Sequence, residues 1–378
     1  MAPSGRAFVF GGNHHNTLGV IRSLGREGIA SELLLVDDMK GTAYVSKSSY
    51  VSRAHRFSSY GEGVEYLLDI IPSLTRKEVV ICCSDGASSA VDMNFDKLSP
   101  AYYVPNCGKQ GEISRLMSKE LLASCAVGAG LNAPETWLSE NGSVPSGIRF
   151  PVIVKPLYSK DGSKTDIRVC RNMEELSAYF QQKHCAQLQL QAFIEKDFEY
   201  QLIGCSVEGG KVVVIPGVSK VIRPSDTSNT GFLLYDRLDD SYPVEKVKQM
   251  LSGMNYSGLF SAEFLRDKNG KDYFLEVNFR NDGNAIAVTA AGVNLPYIWY
   301  RSASDQELPV PADIKPVYVM PEFDDLALVF RRRISFGTWL KDMRRASCYM
   351  EFDKADWKPG FYRVLDMLAL LFRKMGKR

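Results

Sequence analysis

The first hundred residues alternate short apolar runs with segments of helical periodicity. The apolar runs are "AFVFGG" at 7–12, "ELLLVDD" at 32–38 and "EVVICCSD" at 78–85. The spacing of apolar residues next to them predicts helices over 17–27, 61–71 and 86–93. This β-α-β-α-β order predicts a parallel sheet covered by helices.

A later strand pattern, "DYFLEVNFRNDGN" at 272–284, ends in a run of polar residues. Strand alternation sends Glu276, Asn278 and Arg280 to one face. The other face would fill the core with Tyr273, Leu275, Val277 and Phe279.

The segment just upstream, "SAEFLRD", places Glu263 on a similar strand, and residues 268–271 predict a hairpin turn between the two. Antiparallel pairing would bring Glu263 beside Glu276 and Asn278. Such oxygen ligands suit Mg²⁺ that bridges a polyphosphate. The alternative is a solvent-exposed polar face.

The middle of the chain carries two lysines of interest. "EISRLMSKELLASCAVGAGLNAPETWL" at 112–138 predicts one helix that contains Lys119 and is stopped by Gly128 and Gly130. The apolar strand "FPVIVKP" ends at Lys155, which needs an anionic partner or an open cleft because a buried, unpaired ammonium group is costly. The Gly/Ser/Lys loop at 159–164 is not a Walker A sequence, but its backbone N–H groups are able to cover phosphates.

Two further segments are candidates for binding. Residues 186–215 predict three strands, with a polar hinge from Gln191 to Glu199 between two of them. The segment "SKVIRPSDTSNTGFLLYDRL" at 219–238 contains a cluster of polar residues. We expect Arg223 and Ser225 to contact substrate there, and the alternative is an ordinary surface loop.

The N-terminal strand and turn, "FVFGGNHHNTLG", allow two interpretations. Their glycines suggest a dinucleotide turn and hence a nicotinamide-dependent oxidoreductase, but the G-x-G-x-x-G order is absent, so the glycines would only ease the turn. His14 and His15 follow the strand where open α/β sheets receive ligands. We expect a hydrogen bond to substrate and not metal binding, because adjacent histidines on a turn should diverge.

The composition is that of an ordinary soluble protein of two or three domains, with 45% apolar and 24% charged residues among 378. Eight cysteines without a C-x-x-C spacing predict reduced thiols in a cytosolic protein. No signal region and no apolar run of the roughly 20 residues that span a bilayer is evident. We therefore expect a cytoplasmic location.

The net charge of +2 conceals an asymmetry. Residues 326–378 hold 13 Lys and Arg against 5 Asp and Glu, so this tail carries +8 and the remaining chain −6. Nucleic-acid binding by the body is therefore not expected. The tail predicts helices with basic residues beside apolar clusters. They would either dock on the body or make shallow contact with the anionic inner face of a membrane.

The order of these pieces resembles the ATP-grasp superfamily. Across roughly residues 5 to 300 come a helix lysine in "MSKELLASC", a strand lysine in "FPVIVKP", a small-residue loop, the hinge "LQAFIEKDFEY" and the closing "SAEFL" and "FLEVNFR". Within the superfamily, the chain is similar to carboxylate–amine ligases of the D-aspartate ligase group, which act on cell-envelope precursors.

The resemblance implies the roles of individual residues. Lys119 and Lys155 would contact the phosphates of ATP, with Lys155 also near adenine. Gln191, Phe193 and Ile194 would line the adenine pocket, and Glu199 would bind the ribose. Mg²⁺ would be held by Glu263, Glu276 and Asn278. Arg280 would bind the acyl phosphate. Arg280 and Lys155 are the expected catalytic residues. The first hinge position is often glutamate in this superfamily, and here it is Gln191.

The resemblance also implies an α/β fold with four parts. These are a Rossmann-like pre-grasp domain (1–110), a small ATP-grasp lobe (111–205), a C-terminal lobe with the metal and substrate site (206–315) and a basic helical extension (316–378). The implied activity is ATP-dependent ligation of a small-molecule carboxylate to an amine. The alternative is a nucleotide-binding regulatory protein that keeps the fold without turnover.

Overall fold

The computed structural model describes residues 5–39, 41–140, 142–156, 167–182, 187–224, 231–303, 308 and 313–375. Within these residues the strands form three sheets, of five, four and eight strands. The Gly/Ser/Lys loop at 159–164 and residues 225–230, including Ser225, lie outside the described residues.

The five-stranded sheet is parallel and has the order β3-β2-β1-β4-β5. Its strands are β1 Gly5–Gly12, β2 Ile29–Val36, β3 Val51–Phe57, β4 Glu78–Cys82 and β5 Tyr102–Tyr103. Its helices are α1 His15–Arg26, α2 Tyr60–Asp69, α3 Asp85–Asp92 and α4 Phe95–Leu98. The apolar runs of β1 and β4 are buried, as expected of strands covered on both faces. The predicted parallel sheet is thus confirmed.

A pair of short helices leads to the four-stranded sheet. They are α5 Glu112–Leu116 and α6 Lys119–Gly128, so the prediction of one continuous helix was wrong, whereas the predicted stop at Gly128 is confirmed. Ser118 adopts an extended backbone between them, in keeping with the preference of serine for helix starts over helix interiors. Gly130, at a φ of 77°, follows the end of α6.

The four-stranded sheet is antiparallel with the order β6-β9-β7-β8. Its strands are β6 Thr136–Glu140, β7 Val152–Pro156, β8 Arg168–Cys170 and β9 Gln187–Ala192, and helix α7 Met173–Gln182 covers one face. Because β7 and β9 are neighbours, the lysine that ends β7 lies beside the start of the hinge.

The eight-stranded sheet has the order β15-β14-β10-β12-β13-β16-β17, with β11 paired to β10. Its strands are β10 Lys196–Val207, β11 Val212–Val214, β12 Val218–Pro224, β13 Gly231–Asp236, β14 Gly258–Asp267, β15 Asp272–Asn278, β16 Val317–Met320 and β17 Cys348–Tyr349. Its helices are α8 Val244–Gly253, α9 Ile286–Ala291 and α10 Leu295–Ser302. The largest apolar core joins this sheet to the five-stranded one, with α1 buried between them.

The predicted hairpin of β14 and β15 is confirmed, and Glu263 lies directly opposite Glu276. A β-bulge then shifts the register, since Phe264 pairs with Phe274 and leaves Leu275 as the extra residue. The even-numbered residues before the bulge face the core, whereas the odd-numbered residues after it do so, as predicted for Val277 and Phe279. Phe274 is therefore in the core, and the prediction that Tyr273 and Leu275 fill the core was wrong.

The predicted helical tail is present as α11 Glu322–Phe330, α12 Phe336–Arg345 and α13 Lys358–Met375. The buried Arg22 of α1 holds the segment before α13, since its guanidinium donates to Asp356 Oδ2 at 3.0 Å, Met350 O at 3.1 Å and Glu351 O at 2.9 Å. This segment docks on the body. Among the described residues, no helix is both long and apolar enough to cross a bilayer.

Candidate active site

A cavity of about 840 Å³ separates the four-stranded sheet from the eight-stranded sheet. We call it the central cavity. Eight of the residues selected from the sequence line it, namely Lys119, Lys155, Gln191, Phe193, Ile194, Glu199, Glu263 and Glu276. Apolar side chains such as Ile153, Val221 and Leu275 fill the spaces between them. The cavity thus combines an apolar lining with a few converging charges, as small-molecule sites commonly do.

The two lysines make this cavity favourable for an anion. Lys155 ends β7, and its Nζ donates to Gln191 Oε1 at 3.0 Å. Burial and, to a smaller degree, the positive charge of Lys119 lower the pKa of Lys155 to about 8, although the charge of Glu276 opposes them. A bound polyphosphate would relieve both the burial cost and the repulsion between the two ammonium groups.

The hinge between β9 and β10 offers one rim of the cavity. Gln191 Nε2 donates to Thr136 Oγ1 at 3.2 Å, which fixes its side chain between two strands. The backbone N–H of Phe193 already donates to Pro151 O at 3.0 Å. A ligand at this rim would therefore contact the Phe193 ring and Ile194, not the Phe193 amide. Glu199 is partly exposed, and its carboxylate is paired with Lys196 at 2.6 Å.

The two glutamates face each other across the β14–β15 ladder. Glu263 Oε1 accepts hydrogen bonds from Gln201 Nε2 at 3.1 Å and from Asn278 Nδ2 at 3.0 Å. Burial and, to a smaller degree, the nearby charge of Glu276 raise the pKa of Glu263 to about 8. A divalent cation would offset both effects, so the donor set fits Mg²⁺.

The described residues contain no cluster of three or more His, Cys, Asp or Glu suited to a metal ion. A metal at this place would accordingly rest on two carboxylates and the Asn278 amide. That sparse set is usual for Mg²⁺, which takes its remaining ligands from water and substrate phosphates.

Arg280 connects this metal candidate to a second cavity. Its guanidinium donates to Asn278 Oδ1 at 2.9 Å, Asp282 Oδ2 at 3.0 Å and Asp85 Oδ1 at 3.1 Å. Asn278 thus bridges Arg280 and Glu263. Asp85 and Asp282 were not selected from the sequence, although both lie in polar runs that follow apolar strands.

The second cavity, of about 390 Å³, lies at the carboxyl ends of β1 and β4, and we call it the edge cavity. Its charged and polar lining includes His14, Asn16, Asp85, Gln201, Glu263, Arg280, Asp282 and Asn284. Helices α1 and α3 begin beside it. Gln201 and Glu263 line both cavities, so the two meet at Glu263.

A buried amide network supports the edge cavity. Asn16 Nδ2 donates to Cys83 O at 2.9 Å and to Asn281 O at 2.8 Å, and Asn284 Nδ2 donates to Gln201 Oε1 at 2.7 Å. These bonds tie the turn after β15 to both the parallel sheet and β10. The polar run "NDGN" was visible in the sequence, but its partners are about 80 or more positions away.

The two histidines differ in position. His14 lines the edge cavity, and its Nδ1 accepts from the backbone N–H of Asn16 at 3.3 Å. His15 is buried and points to Glu351, with Nδ1 and Oε1 3.9 Å apart. The expectation that the rings diverge was wrong, because their centroids are 3.8 Å apart. Burial lowers the pKa of both, so both are neutral near pH 7.

Arg223 has a different environment from the one expected of a substrate residue. Its guanidinium pairs with Asp325 of α11 and with Asp342 of α12 at 2.7 Å, and it lies over the Phe232 ring. Arg223 lines neither cavity. A bulge in β12 between Val221 and Arg223 turns it away from the central cavity, which Val221 does line.

Comparison with known sequences finds no matching family model. Over 250 residues, the chain is 27% identical to mitochondrial pyruvate carboxylase of Homo sapiens. The match covers 60% of this chain and 20% of the carboxylase, so the chain spans about a fifth of the length of that relative.

Solved structures resemble most of the chain. The N5-carboxyaminoimidazole synthetase of Staphylococcus aureus is 13% identical with a TM-score of 0.66, and the match covers 89% of this chain and 87% of that one. The L-amino acid ligase of Bacillus licheniformis is 15% identical with a TM-score of 0.60, covering 84% and 79%.

A third such structure is the biotin carboxylase domain of Hydrogenobacter thermophilus 2-oxoglutarate carboxylase, in complex with MgADP and bicarbonate. It is 17% identical with a TM-score of 0.61, covering 82% of this chain and 72% of that one. All three have the ATP-grasp fold. The sequence resemblance is therefore confirmed at the level of architecture, and the chain has the ATP-grasp fold.

Proposed function

We propose that this protein is an ATP-dependent carboxylate–amine ligase that works through an acyl phosphate. One observation carries the proposal. The central cavity brings Lys119 and Lys155 together with Glu263 and Glu276, and it opens at Glu263 onto an edge cavity that contains Arg280. A nucleotide in the first cavity would thus place its terminal phosphate near a substrate in the second.

The central cavity binds ATP in this proposal. Lys119 and Lys155 contact the phosphates, while Gln191, Phe193 and Ile194 surround adenine and Glu199 binds the ribose. Glu263, Glu276 and Asn278 hold Mg²⁺, which neutralises phosphate charge when bound. The lowered pKa of Lys155 and the raised pKa of Glu263 support these roles, since each group gains from an ionic partner that the protein alone does not supply.

The reaction has two steps. A carboxylate oxygen attacks the γ-phosphorus of ATP, the bond to the β–γ bridging oxygen breaks, and ADP leaves. The amine then attacks the acyl carbon, loses a proton and expels inorganic phosphate, which leaves an amide. Arg280 stabilises the acyl phosphate, because its planar fork holds two oxygens at once. Positioning and charge neutralisation provide the catalysis.

Two kinds of acid are candidates for the carboxylate substrate. By analogy with the narrower sequence resemblance, we infer that the acid is an organic carboxylate, that the product is its amide, and that the reaction adds an amino acid to a cell-envelope precursor. Bicarbonate is a second candidate acid. It is favoured by the sequence match to a carboxylase and by the bicarbonate in a similar structure.

The test is ADP release by the purified full chain with MgATP and a panel of acids, bicarbonate included, crossed with amines. We expect ADP release that requires one acid and one amine. ATP binding without ADP release under any pair would favour a regulatory nucleotide-binding protein. Reduction of a nicotinamide cofactor would favour an oxidoreductase instead.

We place this activity in the cytoplasm, where ATP is available. The seven cysteines within the described residues are all free, which agrees with a reducing compartment.

A further inference from the structure

Helix α13 attaches to the body through polar and aromatic side chains. Asp366 Oδ2 accepts from Thr42 Oγ1 at 2.6 Å, and the Arg363 guanidinium lies 5.2 Å from the Tyr44 ring centroid. Tyr362 packs against the main core, with Lys47 over its ring. The inner face of this helix is therefore its more polar face.

The outer face of the same helix is apolar and exposed. It consists of Trp357, just before the helix, and Phe361, Leu365 and Leu368, with exposed fractions of 56%, 49%, 40% and 44%. Their spacing of four, four and three residues puts all four on one stripe. We call these four residues the outer stripe.

An amphipathic helix normally buries its apolar face against the protein and leaves its polar face in water. Here the arrangement is reversed. The contacts of Arg363 and Asp366 fix the orientation of the helix, so a simple rotation about its axis would break them. A contiguous exposed apolar face of this kind marks an interaction surface.

The charge around the outer stripe indicates what covers it. Lys354 and Lys358 are exposed at its start. The neighbouring Asp353 and Asp356 are paired with arginines of α1, so the exposed charge at the start of the stripe is positive. A second copy of this chain would bring two such pairs of lysines together, and they would repel each other. An anionic lipid surface complements both the charge and the apolar side chains.

We propose that the outer stripe docks on an anionic lipid surface, with α13 lying in the plane of the interface. Aromatic and leucine side chains would enter the boundary between headgroups and acyl chains, while Lys354 and Lys358 contact lipid phosphates. This proposal does not depend on the ligase activity, because the stripe lines neither cavity.

The test uses the full chain and two kinds of vesicle, one of phosphatidylcholine alone and one containing phosphatidylglycerol. A triple variant, Phe361→Ser with Leu365→Ser and Leu368→Ser, removes most of the stripe and leaves the inner contacts intact. A matched control triple, Met39→Ser with Met93→Ser and Val212→Ser, alters exposed apolar residues elsewhere, whose exposed fractions are 54%, 53% and 38%.

We expect sedimentation of the natural chain and of the control triple with anionic vesicles, and at least about a tenfold weaker retention of the stripe triple. Retention should also fall as salt rises from about 0.1 M to about 1 M, because the screening length shrinks from about 10 Å to about 3 Å. Tryptophan emission should shift to shorter wavelength on adding anionic vesicles, and Trp357→Phe should remove most of that shift.

Three results would overturn the proposal. The first is equal retention of the stripe triple and the natural chain. The second is no retention of the natural chain on anionic vesicles. The third is a dimer in analytical ultracentrifugation that the stripe triple dissociates, since that result assigns the stripe to a second copy. If the triple variant folds poorly, the emission of the natural chain and of Trp357→Phe still tests whether Trp357 enters the lipid surface.

Discussion

The central cavity and the edge cavity share Glu263, but their charged side chains differ in how many hydrogen-bond partners they have within the protein. Within the part of the chain that the structure describes, Lys119 and Glu276 have no hydrogen-bonding partner in the central cavity. In the edge cavity, Arg280 already donates to Asn278, Asp85 and Asp282. Under the proposed function, Lys119 and Glu276 gain their partners from a ligand, whereas the contacts of Arg280 are formed without one.

This difference has energetic consequences. A charge that waits for a ligand contributes most when the ligand is bound, so its removal should reduce binding or turnover and hardly change folding. A charge held in a network shares its role with its neighbours, so single changes there are partly compensated. Substitutions in the two cavities should therefore differ both in size and in the property that they affect.

The largest effect is expected for Glu276→Gln in the central cavity. The change removes a carboxylate charge with little change in volume, so it should lower the rate of ADP formation by at least about a hundredfold, the cost of losing one electrostatic stabiliser. The melting temperature should stay close to that of the natural chain. Steady-state kinetics and calorimetry measure both properties.

The matched control for that change is Glu245→Gln on α8, whose carboxylate is exposed and paired with Lys248. It should retain full activity. Normal turnover by Glu276→Gln would contradict a role for this glutamate at the metal.

The next effect concerns nucleotide affinity. Lys155→Ala should weaken ATP binding by about 1.5–3 kcal/mol, the usual contribution of a hydrogen bond to a charged group. Isothermal titration calorimetry measures this directly, with Lys248→Ala as an exposed control. Equal ATP affinity of Lys155→Ala and the natural chain would remove Lys155 from the phosphate site.

A smaller effect, on stability, should follow from Glu263→Gln. The pKa of Glu263 is raised from 4.5 to about 8 in the folded chain, so the folded state retains a proton that the unfolded state releases. The metal-free natural chain therefore loses stability as pH rises through that window. Glutamine cannot ionise, so the variant should gain a few degrees in melting temperature relative to the natural chain.

That gain should grow between about pH 5 and about pH 8 and then level off. Differential scanning calorimetry in the presence of a chelator measures it. A difference in melting temperature that is constant with pH would show that Glu263 is ionised throughout.

The smallest effect is expected in the edge cavity. Asp85→Asn removes one charge from the network, but Arg280 keeps Asp282 and Asn278, and Asp85 is 62% exposed in its side chain. Because exposed pairs contribute about 0–1 kcal/mol, the KM of the second substrate should rise by up to about fivefold while ATP affinity stays constant. A loss of activity as large as that expected for Glu276→Gln would contradict the proposed difference between the two cavities.

The sequence predicted the central cavity better than the edge cavity for a physical reason. Lys155, Gln191, Glu263 and Glu276 lie at the ends or on the polar faces of regular strands, where local alternation and turn signals locate side chains. Glu263 and Glu276 are joined by one short hairpin, so their pairing is a local property. Their proximity can therefore be predicted without knowing contacts between distant parts of the chain.

The edge cavity depends on contacts that local patterns do not encode. Arg280 meets Asp85 across 195 positions, and Asn16 meets Asn281 across 265. Likewise, the bulge at Leu275 reversed the core face of β15 before it, so that Phe274 and not Tyr273 is buried, and the bulge in β12 turned Arg223 toward α11 and α12. A one-residue irregularity changes every side-chain direction beyond it, and alternation alone does not reveal it.

The acyl phosphate is the central claim about function, and isotope transfer tests it most directly. A carboxylate substrate found in the ADP-release panel would be labelled with heavy oxygen in its carboxyl group and turned over with MgATP and the amine. Mass spectrometry of the released phosphate then reports where the oxygen goes. The account predicts one labelled oxygen in each phosphate, because the oxygen that attacks the γ-phosphorus leaves with it. Phosphate without label, released together with the amide product, would contradict an acyl phosphate.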